Sequence, residues 1–156
     1  MRDDEKLERY SEVAKSLNSI LASTPNHISR MATMNCLLSE AFPYYYWTGF
    51  YLVDTSNPSN LLVGPYQGTM GCLSIAFGKG VCGIAAQTKE TQVVANVHEL
   101  ENHIACDSKS CSEIVVPVFD NESRLMGVFD VDSTEFNSFN DVDKRCLEGI
   151  IKDMFT

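Results

Sequence analysis

The stretch from Glu113 to Val131 constrains the fold more than any other part of the chain. Two runs rich in β-branched residues, Glu113 to Phe119 and Arg124 to Val131, flank Asp120, Asn121, Glu122 and Ser123, which suit a tight connection. This pattern predicts an antiparallel hairpin. Helical patterns lie on both sides of it in the sequence. Residues 3–21 carry Leu7, Tyr10, Val13, Ala14, Leu17, Ile20 and Leu21 as one apolar stripe with charges between. Ser23, Thr24, Pro25 and Asn26 break that helix, and a second pattern runs through Ile28, Met31, Leu37, Leu38 and Ala41 to Phe42. At the other end Val142, Cys146, Leu147, Ile150, Ile151 and Met154 share a face, with Asn140 as N-cap and Asp143 in the first turn.

Between these helices, Trp47 to Val53 and Leu61 to Tyr66 read as strands joined by a polar loop over 54–59. Leu73 to Phe77 and Gln92 to Val97 read as further strands, Val81 to Gln87 as a short helix, and His98 to Cys111 as a polar loop. Helices at both ends of an antiparallel sheet predict an α+β domain in which the N- and C-terminal helices cover one sheet face. No repeat or linker divides the chain, so 1–156 is expected to be one domain, with helices over 1–42 and the sheet, its loops and the last helix over 44–156. A chain of this length buries roughly 70% of its unfolded surface and needs no metal or disulfide to fold. The terminal stripes are long enough to predict pairing with a second copy as a homodimer.

With 21 acidic against 12 basic residues and a net charge of −9, and no cluster of Lys and Arg, the chain is ill suited to nucleic acid or an anionic membrane. Met1 to Glu8 carry charges and no apolar core of a leader, and no apolar run approaches the ~20 residues of a bilayer span. A cytoplasmic location follows as the expectation. In that reducing setting the six cysteines are read as core residues, metal ligands or redox thiols rather than structural disulfides.

Gly78-Lys-Gly-Val-Cys-Gly83 matches G-x-G-x-x-G. A dinucleotide site needs parallel strands with long crossover helices, which a chain of hairpins lacks, so these glycines are assigned to a tight turn or a close backbone approach. His98, His103, Cys72, Cys82, Cys106 and Cys111 include zinc donors, yet the closely spaced ones all fall in one loop, and no metal is expected. Cys106 is the best candidate nucleophile, in a polar loop near His103, whose imidazolium would favour a thiolate. Cys72 and Cys82, in other loops, are candidate partner thiols. Cys36 and Cys146 sit on helical patterns and are expected in or near the core. Asp130 and Asp132, two apart on a strand, face the same side; with Glu113 on the partner strand they suggest a site for a ligand ammonium. Trp47 and Tyr51 also share a strand face and suit core or a pocket wall.

Six ordered motifs, Trp47-Thr-Gly-Phe-Tyr51, Gly64-Pro-Tyr-Gln-Gly68, Phe77-Gly-Lys-Gly-Val-Cys-Gly83, His103-Ile-Ala-Cys-Asp107, Ser112-Glu-Ile-Val-Val-Pro117 and Gly127-Val-Phe-Asp-Val-Asp-Ser133, together resemble the free methionine-(R)-sulfoxide reductase family. The resemblance runs from about Tyr44 through the C-terminal helix and implies a GAF fold. It implies Cys106 as nucleophile, Cys72 as resolving cysteine and Cys82 as the third family cysteine. It further implies Glu113, Asp130 and Asp132 as acidic substrate ligands, and Trp47 and Tyr51 as aromatic pocket residues. Cys111 departs from the family pattern and competes with Cys72 and Cys82 for the resolving role. The implied activity reduces free methionine-(R)-sulfoxide through a sulfenic acid and a disulfide, recycled by thioredoxin without a bound cofactor. A GAF domain that only senses a small ligand is the competing class; cysteines in three separate loops beside an acid cluster favour the reductase.

Overall fold

Alternation along the hairpin strands decides how the layers stack. In the computed structural model, which describes residues 1–101 and 106–156, the elements run α1 (Asp3–Ile20), α2 (His27–Ala41), β1 (Trp47–Asp54), β2 (Asn57–Gln67), β3 (Ser74–Ala76), α3 (Gly80–Thr88), β4 (Gln92–Val94), β5 (Ser112–Phe119), β6 (Leu125–Ser133) and α4 (Asp141–Phe155). The six strands form one antiparallel sheet in the order β3-β2-β1-β6-β5-β4. On one face Ile114, Val116 and Val118 of β5, Phe129 and Val131 of β6 and Phe50 of β1 pack with Tyr10, Leu17, Met34, Leu38, Leu147 and Ile151. Each such side chain, fully buried, contributes roughly 1.5–3 kcal/mol. The terminal helices therefore cover one face, as the sequence pattern predicts. The residues between these point the other way: Tyr51, Val115 and Val128 meet Val81, Cys82, Ala85 and Ala86 of α3. One nine-residue helix covers that second face only in part.

Four details differ from the sequence reading. The β1–β2 connection is a tight turn rather than a loop over 54–59, because the Asp54 carboxylate accepts the Ser56 N–H and the ladder closes at Asp54↔Asn57. Pro58 is accommodated in the register shift between that pair and Val53↔Leu61. β4 stops at Val94, and a 3-10 turn at Val97–Glu99 follows, started by the Asn96 side chain accepting the His98 N–H. Cys36 is exposed rather than in the core, since α2 turns Met31, Met34, Asn35 and Leu38 inward; Cys146 is partly buried, as expected. In α1 the buried stripe is Lys6, Tyr10, Val13 and Leu17, which leaves Leu7 and Ile20 outside it and exposed.

That phase places a lysine in the interior. Lys6 Nζ lies 2.6 Å from Asp143 Oδ2 and donates to the Ser138 carbonyl at 2.9 Å. Asp143 Oδ1 accepts the Tyr10 hydroxyl at 2.7 Å, which lies 2.6 Å from the Tyr45 hydroxyl. Asp143 also accepts the Asn140 N–H and so closes the capping box of α4. The cluster links α1 to α4 across the helical layer. Among the described residues, no helix is long and apolar enough to cross a membrane.

Removing one member of a fully buried ion pair leaves the other uncompensated, so Lys6→Ala should cost about 3–5 kcal/mol. Urea unfolding of Lys6→Ala and of the isosteric Lys6→Met reads this directly; Met should cost less than Ala by retaining the packing of the stem.

Candidate active site

The site is built on the second face by cross-strand register. Trp47, Asp132 and Glu113 are neighbours across β1, β6 and β5, and the next row on the same face holds Gly49, Asp130 and Val115. Three carboxyl groups thereby converge over the middle of the sheet. Glu113 and Asp130 are only 6% and 5% exposed, while Asp132 lies nearer the mouth and receives a hydrogen bond from Ser110. Burial, then the neighbouring acids, pushes the carboxyls of Glu113, Asp130 and Asp132 well above the usual carboxylate range. Asp130 Oδ1 has no hydrogen-bond partner among the described residues. A buried carboxyl oxygen without a donor, flanked by two further carboxyls, suits an entering cation, and an ammonium brings three N–H donors.

The Cys82 thiol, 3% exposed, sits 4.0 Å from Glu113 Oε1, and burial with the nearby Asp130 and Glu113 pushes its pKa up. Cys82, Glu113 and Asp130 offer ligand atoms within 4.8 Å of one another, close enough for a metal ion. A metal there would require the Cys82 thiol to lose its proton on binding, whereas an organic ammonium asks for no thiolate. The glycines around Cys82 serve a turn. Gly78 and Gly80 have φ of +80° and +59°, and a Cβ on Gly83 would stand 2.4 Å from the Ala76 carbonyl oxygen.

Aromatic rings form the adjoining wall. Trp47 stacks on Tyr51 and on Tyr66, with centroids 5.6 and 5.1 Å apart. Gly49 between them makes this possible, because a Cβ there would lie 2.3 Å from Tyr66 Cβ and 2.7 Å from the indole. The Trp47 indole N–H donates to the Thr69 carbonyl at 2.9 Å. Tyr51, partly desolvated and facing Asp130, has its phenol pKa raised.

At the mouth, Cys72 and Cys106 form a disulfide, with Cα atoms 5.4 Å apart. Cys106 is exposed, and it lines the pocket together with the three carboxyls, Cys82, Trp47 and Tyr51. Cys111, left open by the sequence as a competing partner, is a free thiol. Its amide donates to the Ser133 carbonyl, its carbonyl accepts the Val97 N–H, and its sulfur faces the Lys109 carbonyl. These bonds hold Cys111 to the sheet rim. His103 lies outside the described residues, and with it the expected influence on Cys106. The structure adds Tyr46, Tyr66, Thr69, Asp107 and Ser110 around the pocket; only Asp107 stood beside a motif cysteine, and its role needed the folded contacts. With the disulfide closed, the pocket has a cavity volume of about 40 Å³.

The architecture is that of a GAF domain, whose family model matches residues 46–154. The free methionine-R-sulfoxide reductase of Saccharomyces cerevisiae is 48% identical over 106 residues, 68% of this chain and 59% of that protein. The enzyme of the same name from Escherichia coli is 36% identical over 146 residues, 94% of this chain and 86% of that protein. A crystal structure of free methionine-R-sulfoxide reductase from Neisseria meningitidis in complex with its substrate superposes with a TM-score of 0.87 at 40% identity, covering 93% of this chain and 85% of that one. The chain belongs to the GAF-domain family, in its free methionine-(R)-sulfoxide reductase branch.

The carboxyl cluster has a stability consequence with a definite sign. A folded pKa raised above the unfolded one stabilises the fold below the unfolded carboxylate pKa, and this is lost as pH rises through the folded value. Asp130→Asn removes one such group. Its Tm should exceed that of the wild type by roughly 2–4 °C at pH 8, corresponding to about 1 kcal/mol, and the gap should narrow towards pH 5. Equal or lower stability of the variant at pH 8 contradicts this.

Proposed function

We propose that this protein reduces free L-methionine-(R)-sulfoxide to L-methionine, with Cys106 as nucleophile and Cys72 as resolving thiol. The observation that carries the reading is the Cys72–Cys106 disulfide at the mouth of a pocket lined by Glu113, Asp130, Asp132 and Trp47. In the reduced protein the Cys106 sulfur attacks the sulfoxide sulfur, and the sulfoxide oxygen ends on Cys106 as a sulfenic acid while methionine leaves. Burial keeps protons on the carboxyl cluster, which makes it a proton source for the departing oxygen. The Cys72 thiol then attacks the Cys106 sulfur; an S–S bond forms, the S–O bond breaks, and water leaves. Cys82 contributes a neutral thiol against Glu113 and completes the pocket floor.

The carboxyls receive the substrate ammonium, and Trp47 with Tyr51 lies against its apolar part. A methionine within a polypeptide has a neutral amide where the free amino acid has the ammonium, so it would leave the buried acids unpaired. Choice of the R epimer is supported by the activity named for the relatives. The disulfide is reopened by exchange with an external dithiol, and we assign that role to thioredoxin. Four further cysteines remain as free thiols, which supports a reducing compartment, the cytoplasm. We treat 1–156 as one catalytic unit, because the helices of 1–42 pack on the sheet that carries the site. Exposed Leu7, Ile20 and Ile28 on the helical layer supply apolar surface for a homodimer; a monomer mass by sedimentation velocity at micromolar concentration would count against it.

The decisive assay follows methionine formed from the free R epimer, the free S epimer and a peptide-bound sulfoxide, with thioredoxin recycling. Turnover of the free R epimer alone is expected, Cys106→Ser should abolish it, and Cys72→Ser should release about one equivalent of methionine and stop with a sulfenic acid. Full turnover by Cys106→Ser overturns the assignment. Folded, reduced protein inactive on all three substrates indicates a ligand-sensing domain instead.

The small cavity of the closed state generates a separate expectation. We infer that reduction of the Cys72–Cys106 bond, which bridges the mouth, eases entry of a free amino acid. Isothermal titration should detect methionine binding to the reduced Cys106→Ser protein and none to the oxidised wild type; equal affinity for both would contradict this.

A further inference from the structure

Asp107 follows Cys106 directly in the chain and takes no part in the chemistry described above. Its carboxylate is nevertheless where the two cysteine loops meet. Oδ2 accepts the Thr69 hydroxyl at 2.7 Å and the Tyr46 hydroxyl at 2.8 Å, while Oδ1 accepts the Lys109 N–H at 2.9 Å. Thr69 stands three residues before Cys72, and its carbonyl also receives the Trp47 indole N–H. Tyr46 adjoins Trp47, and its own amide donates to the Asp132 carbonyl at 2.8 Å. One carboxylate thus joins the Cys106 loop to the Cys72 loop and joins both to the sheet that holds the acids, without using either sulfur. The hydrogen bonds from Thr69, the Lys109 amide and Tyr46 hold the Asp107 carboxyl below its usual range, and hydrogen bonds to a charged acceptor are the strong ones.

The two cysteines are 34 residues apart in sequence. Once their bond is open, a connection of that length gives the thiols wide freedom unless something else holds them together. We propose that Asp107 is a positioning residue, a clamp independent of the disulfide that keeps Cys72 beside Cys106 so that the sulfenic acid is resolved within the chain. The step it favours forms the S–S bond, breaks the S–O bond of Cys106 and releases water that carries the Cys72 proton. This inference rests on the proposed reductase reading for its substrate, but the poise of the Cys72–Cys106 pair can be measured without any sulfoxide.

The test compares full-length wild type, Asp107→Ala, Asp107→Asn and the double variant Tyr46→Phe/Thr69→Val in glutathione redox buffers. Sulfenic acid lifetime is read by dimedone trapping, after one equivalent either of methionine-(R)-sulfoxide or of hydrogen peroxide. Asp107→Ala should lower the equilibrium constant for closing the disulfide about tenfold, which raises the reduction potential by about 30 mV. The sulfenic acid should persist about tenfold longer with either oxidant. Methionine release in the first turnover should stay within about twofold of wild type, because it precedes the clamped step. Asp107→Asn keeps an acceptor oxygen for Thr69 and Tyr46 but loses the charge and the second acceptor, and its potential should fall between those of the wild type and Asp107→Ala. The double variant should behave as Asp107→Ala, and it carries the same test if Asp107→Ala does not fold by near-ultraviolet circular dichroism. An unchanged potential in the folded variants overturns the clamp, and so does a double variant with the wild-type potential beside an impaired Asp107→Ala, since the hydrogen bonds from Tyr46 and Thr69 would then not be responsible. Slow methionine release in the first turnover likewise overturns it, in favour of a role in sulfoxide attack. No sulfoxide turnover by the wild type, together with the predicted shift in potential and the predicted longer sulfenic acid lifetime after peroxide in Asp107→Ala, would instead count against the reductase reading while leaving the clamp intact.

Discussion

The placement of three carboxyl groups in one desolvated pocket is the constraint on which the rest of the site depends. Glu113 and Asp132 face each other across the β5–β6 ladder, and Asp130 lies on the next row of the same face. Burial and mutual repulsion oppose their ionisation together, and Asp130 Oδ1 has no hydrogen-bond partner among the described residues. In the proposed reaction, a substrate ammonium would give that oxygen a donor, and its positive charge would offset the repulsion. In the proposed function, the hairpin packing that holds these acids together is also what selects a substrate with a free ammonium.

Such a pocket is tolerated because the other face of the sheet carries the stability. Phe50, Ile114, Val116, Phe129 and Val131 are sealed beneath the terminal helices, and the Lys6–Asp143–Tyr10–Tyr45 cluster links the first helix to the last. A buried ion pair adds little net stability compared with apolar packing, but it disfavours arrangements that would strand one charge. The two faces of the same strands, alternating residue by residue, divide support from chemistry. Among the described residues, α3 is the helix that covers the reactive face, and the loops of Cys72 and Cys106 complete it from the rim.

Much of this was legible in residue order. The Glu113–Val131 hairpin, the amphipathic terminal helices and the Asn140 cap are set by short-range patterning, and the structure has them nearly where the pattern places them. The shared side of Asp130 and Asp132 follows from the two-residue period of a strand, and the tight turn of Gly78 to Gly83 from hairpin context. Less visible were interactions between distant segments. Lys6 belongs to the buried stripe only in the correct helical phase, and the carboxylate that neutralises it is Asp143, far along the chain. Cys36 looked like core by its neighbours, yet its angle on α2 carries it outward.

The sequence by itself determined the α+β class, the faces of its strands and the kind of chemistry available, since each depends on local periodicity or on residue type. Tertiary structure decided which thiols meet, which acids lose their water and which loops share a hydrogen bond. Motif context set Cys106 apart as the nucleophile but left Cys72, Cys82 and Cys111 competing to resolve it; folding closes Cys72 on Cys106, buries Cys82 against Glu113 and holds Cys111 on the sheet rim. Desolvation and proximity are properties of the packed state, and no pattern along the chain encodes a distance between segments that only folding brings together.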